Sequence, residues 1–166
     1  VNQRKTRLPV DPNIDPVELA RTIALNALSA RPKSRRELEV QLAKRGIDDE
    51  SAKLVLDRLA AVGLVDDLEF ARAWSRSRQN KKGLSRRVIA QELNQKGIDR
   101  SISEGVLAEI SPEDEYEAAL AIAAKKARSV SNLSPEIQVR RIFDLLARRG
   151  FSSSISTQVI REALAK

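Results

Sequence analysis

The 166-residue chain is 42% hydrophobic, 32% charged and only 3% aromatic, with a formal net charge of +7 and neither Cys nor His. That excludes disulfides, thiol chemistry, zinc sites and His-based triads, and no apolar run approaches the ~18 residues that span a bilayer. Ala, Leu and Arg dominate, with six Gly and six Pro, so helix is favoured over strand and the helices should be amphipathic.

Residues 1–15 read as a flexible arm carrying Arg4, Lys5 and Arg7. The arm is polar and lacks an apolar h-region, so no secretory signal is expected and a cytoplasmic protein is. Val at position 1 suggests a trimmed chain or an alternative start codon. Asp15-Pro16-Val17-Glu18 then opens a helix, with Asp at the N-cap and Pro at the first helical position. Leu19, Ile23, Ala27 and Ala30 form one face of it, with Ala20, Ala24 and Leu28 beside it. Ser34-Arg35-Arg36-Glu37 is a capping box. Leu38 and Leu42 follow at i and i+4, and Gly46 ends that helix behind Lys44 and Arg45. Asp48 caps a third helix with Ala52, Val55, Leu56 and Leu59 as its stripe, closed by Gly63.

The pattern then recurs. SRRELEVQLAKRGI at 34–47 aligns with SRRVIAQELNQKGI at 85–98, an offset of 51 residues. A third copy places Ile142, Leu146, Gly150, Phe151, Val159 and Ile160 in the same positions, with Ser111-Pro112 and Ser134-Pro135 as helix starts and Phe143 and Phe151 as apolar anchors. The reading is an all-α fold: three tandem three-helix repeats (helix-turn-helix-like units) at 16–63, 64–111 and 112–166, forming an elongated or curved array. The expected helices are 16–30, 35–45, 49–62, 67–80, 86–96, 100–110, 112–129, 135–149 and 153–165. A unit of about fifty residues buries little apolar surface by itself, so neighbouring units should pack on one another.

Each repeat holds nine basic and seven acidic residues, so clustering, not total charge, singles out a site. Asp48-Asp49-Glu50, Asp66-Asp67 with Glu69, and Glu113-Asp114-Glu115 with Glu117 sit at the starts of expected helices. They serve either as dipole-stabilised caps or as metal or acid–base carboxylates, and their placement favours caps. The run from Phe70 to Val88 contrasts with them: Arg72, Arg76, Arg78, Lys81, Lys82, Arg86 and Arg87 occur with no acid among them. Arg31, Lys33, Arg35 and Arg36 occupy the corresponding turn of the first repeat. The alternatives are a solvated face and a surface for a polyanion or an acidic protein groove. Freedom from acids favours the second, and N–H groups at the following helix start would add to it. Trp74, four residues after Phe70, is expected in the core, with base stacking as the alternative. Helices 3, 6 and 9 carry few basic residues off their apolar stripes, so base-specific reading by a recognition helix is poorly supported. There is no P-loop and no nucleophile–base pair. No catalysis, cofactor or metal is expected.

Ser34-Arg35-x-Glu37-Leu38 to Lys44-Arg45-Gly46-Ile47, Leu56-Asp57-x-Leu59, Gly63-Leu64-x-Asp66-Asp67-x-x-Phe70-Ala71-x-x-Trp74 and Glu92-Leu93-x-x-Lys96-Gly97-Ile98 together resemble the RecX family of recombination regulators. The resemblance is closest over 30–110. In the third repeat it holds by pattern more than identity, and Gly-Leu-x-Asp-Asp has no counterpart. It implies tandem three-helix repeats that bind the RecA recombinase and its nucleoprotein filament, lie along the filament groove, and restrain ATP hydrolysis and strand exchange. It also implies binding to single- and double-stranded DNA without strong sequence preference. Carried over by position, the contacts are Arg72, Arg76, Arg78, Lys81, Lys82, Arg86 and Arg87, then Arg31, Lys33, Arg35 and Arg36. A monomer with no membrane attachment is expected.

Overall fold

The computed structural model describes residues 14–165, so the expected arm lies almost wholly outside them. Among the described residues there are nine α-helices, one π-helical turn and no strand. The helices are α1 (Pro16–Ala30), α2 (Arg35–Lys44), α3 (Asp49–Ala61), α4 (Asp67–Ser77), α5 (Arg86–Gln95), α6 (Arg100–Ala108), α7 (Pro112–Ser129), α8 (Pro135–Arg148) and α9 (Ser153–Leu164). The fold is all-α, in three successive three-helix sets. No helix among the described residues is long and apolar enough to cross a membrane.

The chain divides into two compact units, 1–70 and 71–166, and the division falls inside α4. In the first, α1 packs on α2 and α3, and α2 packs on α3. In the second, α5 packs on α6, and α7, α8 and α9 pack on one another.

Local chemistry sets the helix limits. Ser34, Ser85, Ser111 and Ser152 accept hydrogen bonds from the first-turn amides of α2, α5, α7 and α9. Asp15, Asp48 and Asp99 do so for α1, α3 and α6. The Ser51 amide lowers the Asp48 carboxyl below its ordinary range, and the Ser101 hydroxyl and amide do the same for Asp99. Ser134 sits at the N-cap of α8, but its side chain makes no cap bond. The end of the second helix is built identically in each set. The amides of Ile47, Ile98 and Phe151 reach back to the carbonyls of Leu42, Leu93 and Leu146, each at 3.1 Å, past a glycine of positive φ. That closure buries the residue after the glycine against the core.

The core repeats as well. Leu38 and Leu42, Ile89 and Leu93, and Ile142 and Leu146 are each completely buried. The first helices bury small side chains: Ala20, Ala24 and Ala27 in α1, and Ala119, Ala123 and Ala127 in α7. Close helix approach needs such a face. It therefore displaces the face expected for α1: Leu19, Ile23, Leu25 and Leu28 pack partly buried around the alanines, and Ala30 is exposed. Phe143, expected as an anchor of the third set, is exposed instead. The buried face of α8 is already taken by Ile142 and Leu146, and Phe143 lies one residue, about 100° of helix, from Ile142. Phe151 is buried as expected.

Candidate functional site

The cations of the 72–87 run divide into two groups. Arg72 donates to Glu109 at 3.1 Å, Arg78 to Glu92 at 2.6 Å, and Arg86 to Glu115 at 2.8 Å. These acids lie 37, 14 and 29 residues away in sequence, so freedom from local acids did not leave the arginines unpaired. Arg87 reaches the Gly150 carbonyl at 3.4 Å. Arg76, Lys81 and Lys82 are exposed and make no ion pair among the described residues. In the first set, Arg31 pairs with Glu37, Arg35 with Glu39 and Asp57, and Arg36 with Glu39, and Lys33 makes no ion pair among the described residues. Lys53 and then Arg35 hold the Asp57 carboxyl below its usual range. Surface pairs of this kind are worth at most about 1 kcal/mol. They leave the long-range field to the cations outside them.

The helix expected over 67–80 ends at Ser77 and widens into a π-helical turn over Arg78–Lys82, closed by Gly83 at φ +57°. A Cβ on Gly83 would lie 2.6 Å from Ile122 Cδ1 and 2.9 Å from Arg149 Nη1, so only glycine lets the turn seat on α7. The turn is tied from the other side too. Arg149 Nη1 donates to the Lys82 carbonyl, and the Ser85 amide donates to the Arg149 carbonyl at 3.0 Å. The stretch bearing Lys81 and Lys82 is thus a fixed turn between α4 and α5.

Trp74 is only half-buried, whereas Phe70 is in the core as expected. The Arg78 guanidinium lies 4.0 Å and the Lys96 ammonium 4.7 Å from the indole centroid, and the indole N–H donates to Glu92 at 2.8 Å. A ring attended by two cations is stabilised through its quadrupole, and this group competes with any base for its faces. Glu92→Ala removes the acceptor of both the indole and Arg78. It should cost about 1–3 kcal/mol and red-shift the emission of this sole tryptophan. An unshifted spectrum would mean the Glu92 bonds do not persist in solution.

Two carboxylates do a job that sequence position did not reveal. Asp67, in the first turn of α4, accepts from the Arg35 amide at 2.8 Å, and Glu115, in the first turn of α7, accepts from the Arg86 amide at 2.9 Å. Each caps the second helix of the preceding set. Asp66 accepts from the Glu69 amide at the start of its own helix, and Asp114 completes the capping box of α7 by accepting from the Ser111 amide. Among the described residues no cluster of His, Cys, Asp or Glu could hold a metal ion.

The turn also forms one wall of a groove of about 830 Å³ within the second unit. Gln79, Asn80, Lys81 and Gly83 face Ile122, Lys125 and Lys126 of α7 and Arg149 at the end of α8. Nothing in the sequence joins Lys125, Lys126 or Arg149 to Lys81, which lies 44 or more residues before them. Their common address with Lys81 is tertiary.

An all-α chain of three successive three-helix sets, with exposed cations on a fixed turn, is a tandem helical-repeat protein. Family models for the first, second and third three-helix domains of RecX match residues 20–59, 66–107 and 113–160. The chain is 40% identical over 154 residues to the regulatory protein RecX of Streptomyces coelicolor, covering 93% of this chain and 82% of that one. It is 43% identical over 152 residues to the regulatory protein RecX of Mycobacterium leprae, covering 91% and 89%. A crystal structure of RecX from Lactobacillus salivarius superposes with a TM-score of 0.80 at 27% identity, over 92% of this chain and 99% of that one. The chain belongs to the RecX family of regulatory proteins.

Proposed function

We propose that this protein binds the RecA recombinase and its DNA filament and restrains RecA's ATP hydrolysis and strand exchange. The reading is supported by family membership and, on the molecule itself, by one observation: Lys81 and Lys82 are exposed on the π-helical turn, Arg76 is exposed two residues before it in α4, and none of the three has an ion pair among the described residues. A filament exposes phosphates and acidic protein surface, and unpaired cations on a rigid support meet either without first breaking an internal pair. Arg72, Arg78, Arg86 and Arg87 of the second unit, and Arg31, Lys33, Arg35 and Arg36 of the first, are proposed as further contacts. The arginines among them would contribute by exchanging present partners for phosphate or carboxylate. The protein acts in the cytoplasm, where its partner is.

In the test, equimolar protein is added to RecA's DNA-dependent ATPase and strand-exchange reactions. Inhibition of both is expected, and no change in either, or in filament length, would sink the proposal. A second reading, DNA binding independent of RecA, is favoured by the same unpaired lysines. It requires tight binding that weakens steeply with salt. Charge reversal at Arg76, Lys81 and Lys82 separates the two. If DNA affinity collapses while inhibition of RecA survives, this turn reads DNA and another surface meets RecA.

A further inference from the structure

We propose that the groove between the 78–83 turn and α7 takes the sugar–phosphate backbone of a nucleic-acid strand, with Lys81, Lys125 and Lys126 as its phosphate contacts and Arg149 as the residue that positions the turn. The inference deepens the reading above and rests on its DNA-binding component.

Three observations carry it. The first is convergence. The closing glycine of the turn abuts Ile122, and Lys125 and Lys126 follow three and four residues later on the same face of α7. Lys81 and these two lysines make no ion pair among the described residues. Two sets thus contribute unpaired cations to one groove. The second is polarity along the groove. The acidic lining residues Asp114 and Glu117 lie eight and five residues before Ile122, about 12 and 8 Å back along the helix, and Asp114 is occupied with the Ser111 cap. The turn therefore meets α7 nearer its cationic end. The third is the lining chemistry. Lysine, alanine and serine, which dominate α7's contribution through Ala118, Ala121, Lys125, Lys126 and Ser129, are depleted in protein–protein interface cores, which favour aromatics, Met and Arg. Mobile point charges over small side chains, with the Gln79 and Asn80 amides beside them, suit phosphates and sugars.

Arg149 acts through the turn. Its guanidinium holds the Lys82 carbonyl from the end of α8, and its own carbonyl holds the Ser85 amide. The planar fork, not its charge alone, makes the first contact.

The test uses the full chain and two probes, a labelled oligothymidylate and a labelled duplex of equal length, titrated across salt concentrations. Lys125→Ala/Lys126→Ala should weaken binding to at least one probe about tenfold at low salt. The slope of log affinity against log salt should become shallower by about two on duplex, or about 1.4 on single strand; the probe affected identifies the strand. Arg149→Lys keeps the charge and should lose affinity nearly as Arg149→Ala does, with faster hydrogen exchange at the Gly83 and Leu84 amides. Unchanged affinity and slope in the double variant, or loss of RecA binding with DNA binding intact, would overturn the groove as a nucleic-acid site. Arg149→Lys binding like wild type would overturn the positioning role. RecA ATPase is measured alongside: a wild-type protein without effect there defeats the RecA reading, whereas the salt slopes judge the groove independently.

Discussion

Gly150→Ala should destabilise the second unit by about 3 kcal/mol or more, whereas Gly46→Ala, at the same place in the first set, should cost about 1–2 kcal/mol. Both glycines have positive φ, +89° and +84°, so a side chain strains the backbone equally at either. The difference is the neighbourhood. A Cβ at Gly46 meets nothing within 4 Å, but one at Gly150 would lie 2.5 Å from Ser85 Oγ and collide with Val88 Cγ2. Val88 is β-branched and held in the first turn of α5, so it has no inexpensive rotamer to retreat into. Backbone strain and overpacking therefore add at one site only. Urea unfolding followed by the sole tryptophan, which lies in the second unit, reads Gly150→Ala directly. Far-UV circular dichroism reads Gly46→Ala. Equal shifts in the two variants would refute close contact between the second and third sets at this point. The same contact supports the basic turn through Arg149 and Ser85, so Gly150→Ala should weaken DNA binding as well as stability.

Much of this architecture was legible because its punctuation is local. α1 and α7 begin at Pro16 and Pro112 and end at Ala30 and Ser129, as their N-cap and proline signals and their length predict. The Gly46, Gly97 and Gly150 stops act through the few residues on either side. Legibility fails where the deciding partner is distant. The end of α4 has no glycine until Gly83, and its conversion to a π turn is supported by Ile122 and Arg149 from other helices. An acid-free run of cations suggested a uniformly free surface, but Glu92, Glu109 and Glu115 pair with three of its arginines from outside it. Trp74 has the spacing of a core residue, yet its polar edge and two neighbouring cations hold it at the boundary. Periodicity identifies a helix face that can be buried. Which of two adjacent apolar stripes is buried, as for Phe143 beside Ile142, depends on what the opposing helix presents.

Glu115→Ala should cost about 2–3 kcal/mol, more than the loss of an ordinary surface ion pair, because the carboxylate does two things at once. One oxygen accepts from the Arg86 backbone amide at 2.9 Å and the other from its guanidinium at 2.8 Å. The glutamate side chain is only 11% exposed. Without it the first turn of α5 loses a charged cap, and the Arg86 side chain keeps only a weak 3.4 Å contact to the Ile110 carbonyl. Glu115→Gln retains an acceptor for the amide but loses the charge facing Arg86, so it should recover about half of the loss. A glutamine no better than alanine would make the ion pair, not the cap, the dominant contribution. Asp67→Ala should show the cap alone, at about 1 kcal/mol, because its oxygen receives the Arg35 amide at 2.8 Å while the Arg35 guanidinium is held by Glu39 and Asp57. The two positions recur from one set to the next, each joining a helix start to the carboxylate that opens the following set. Each of the first two sets is therefore incomplete at its second helix until its successor folds, and unfolding of the third set should loosen the start of α5 before its core gives way.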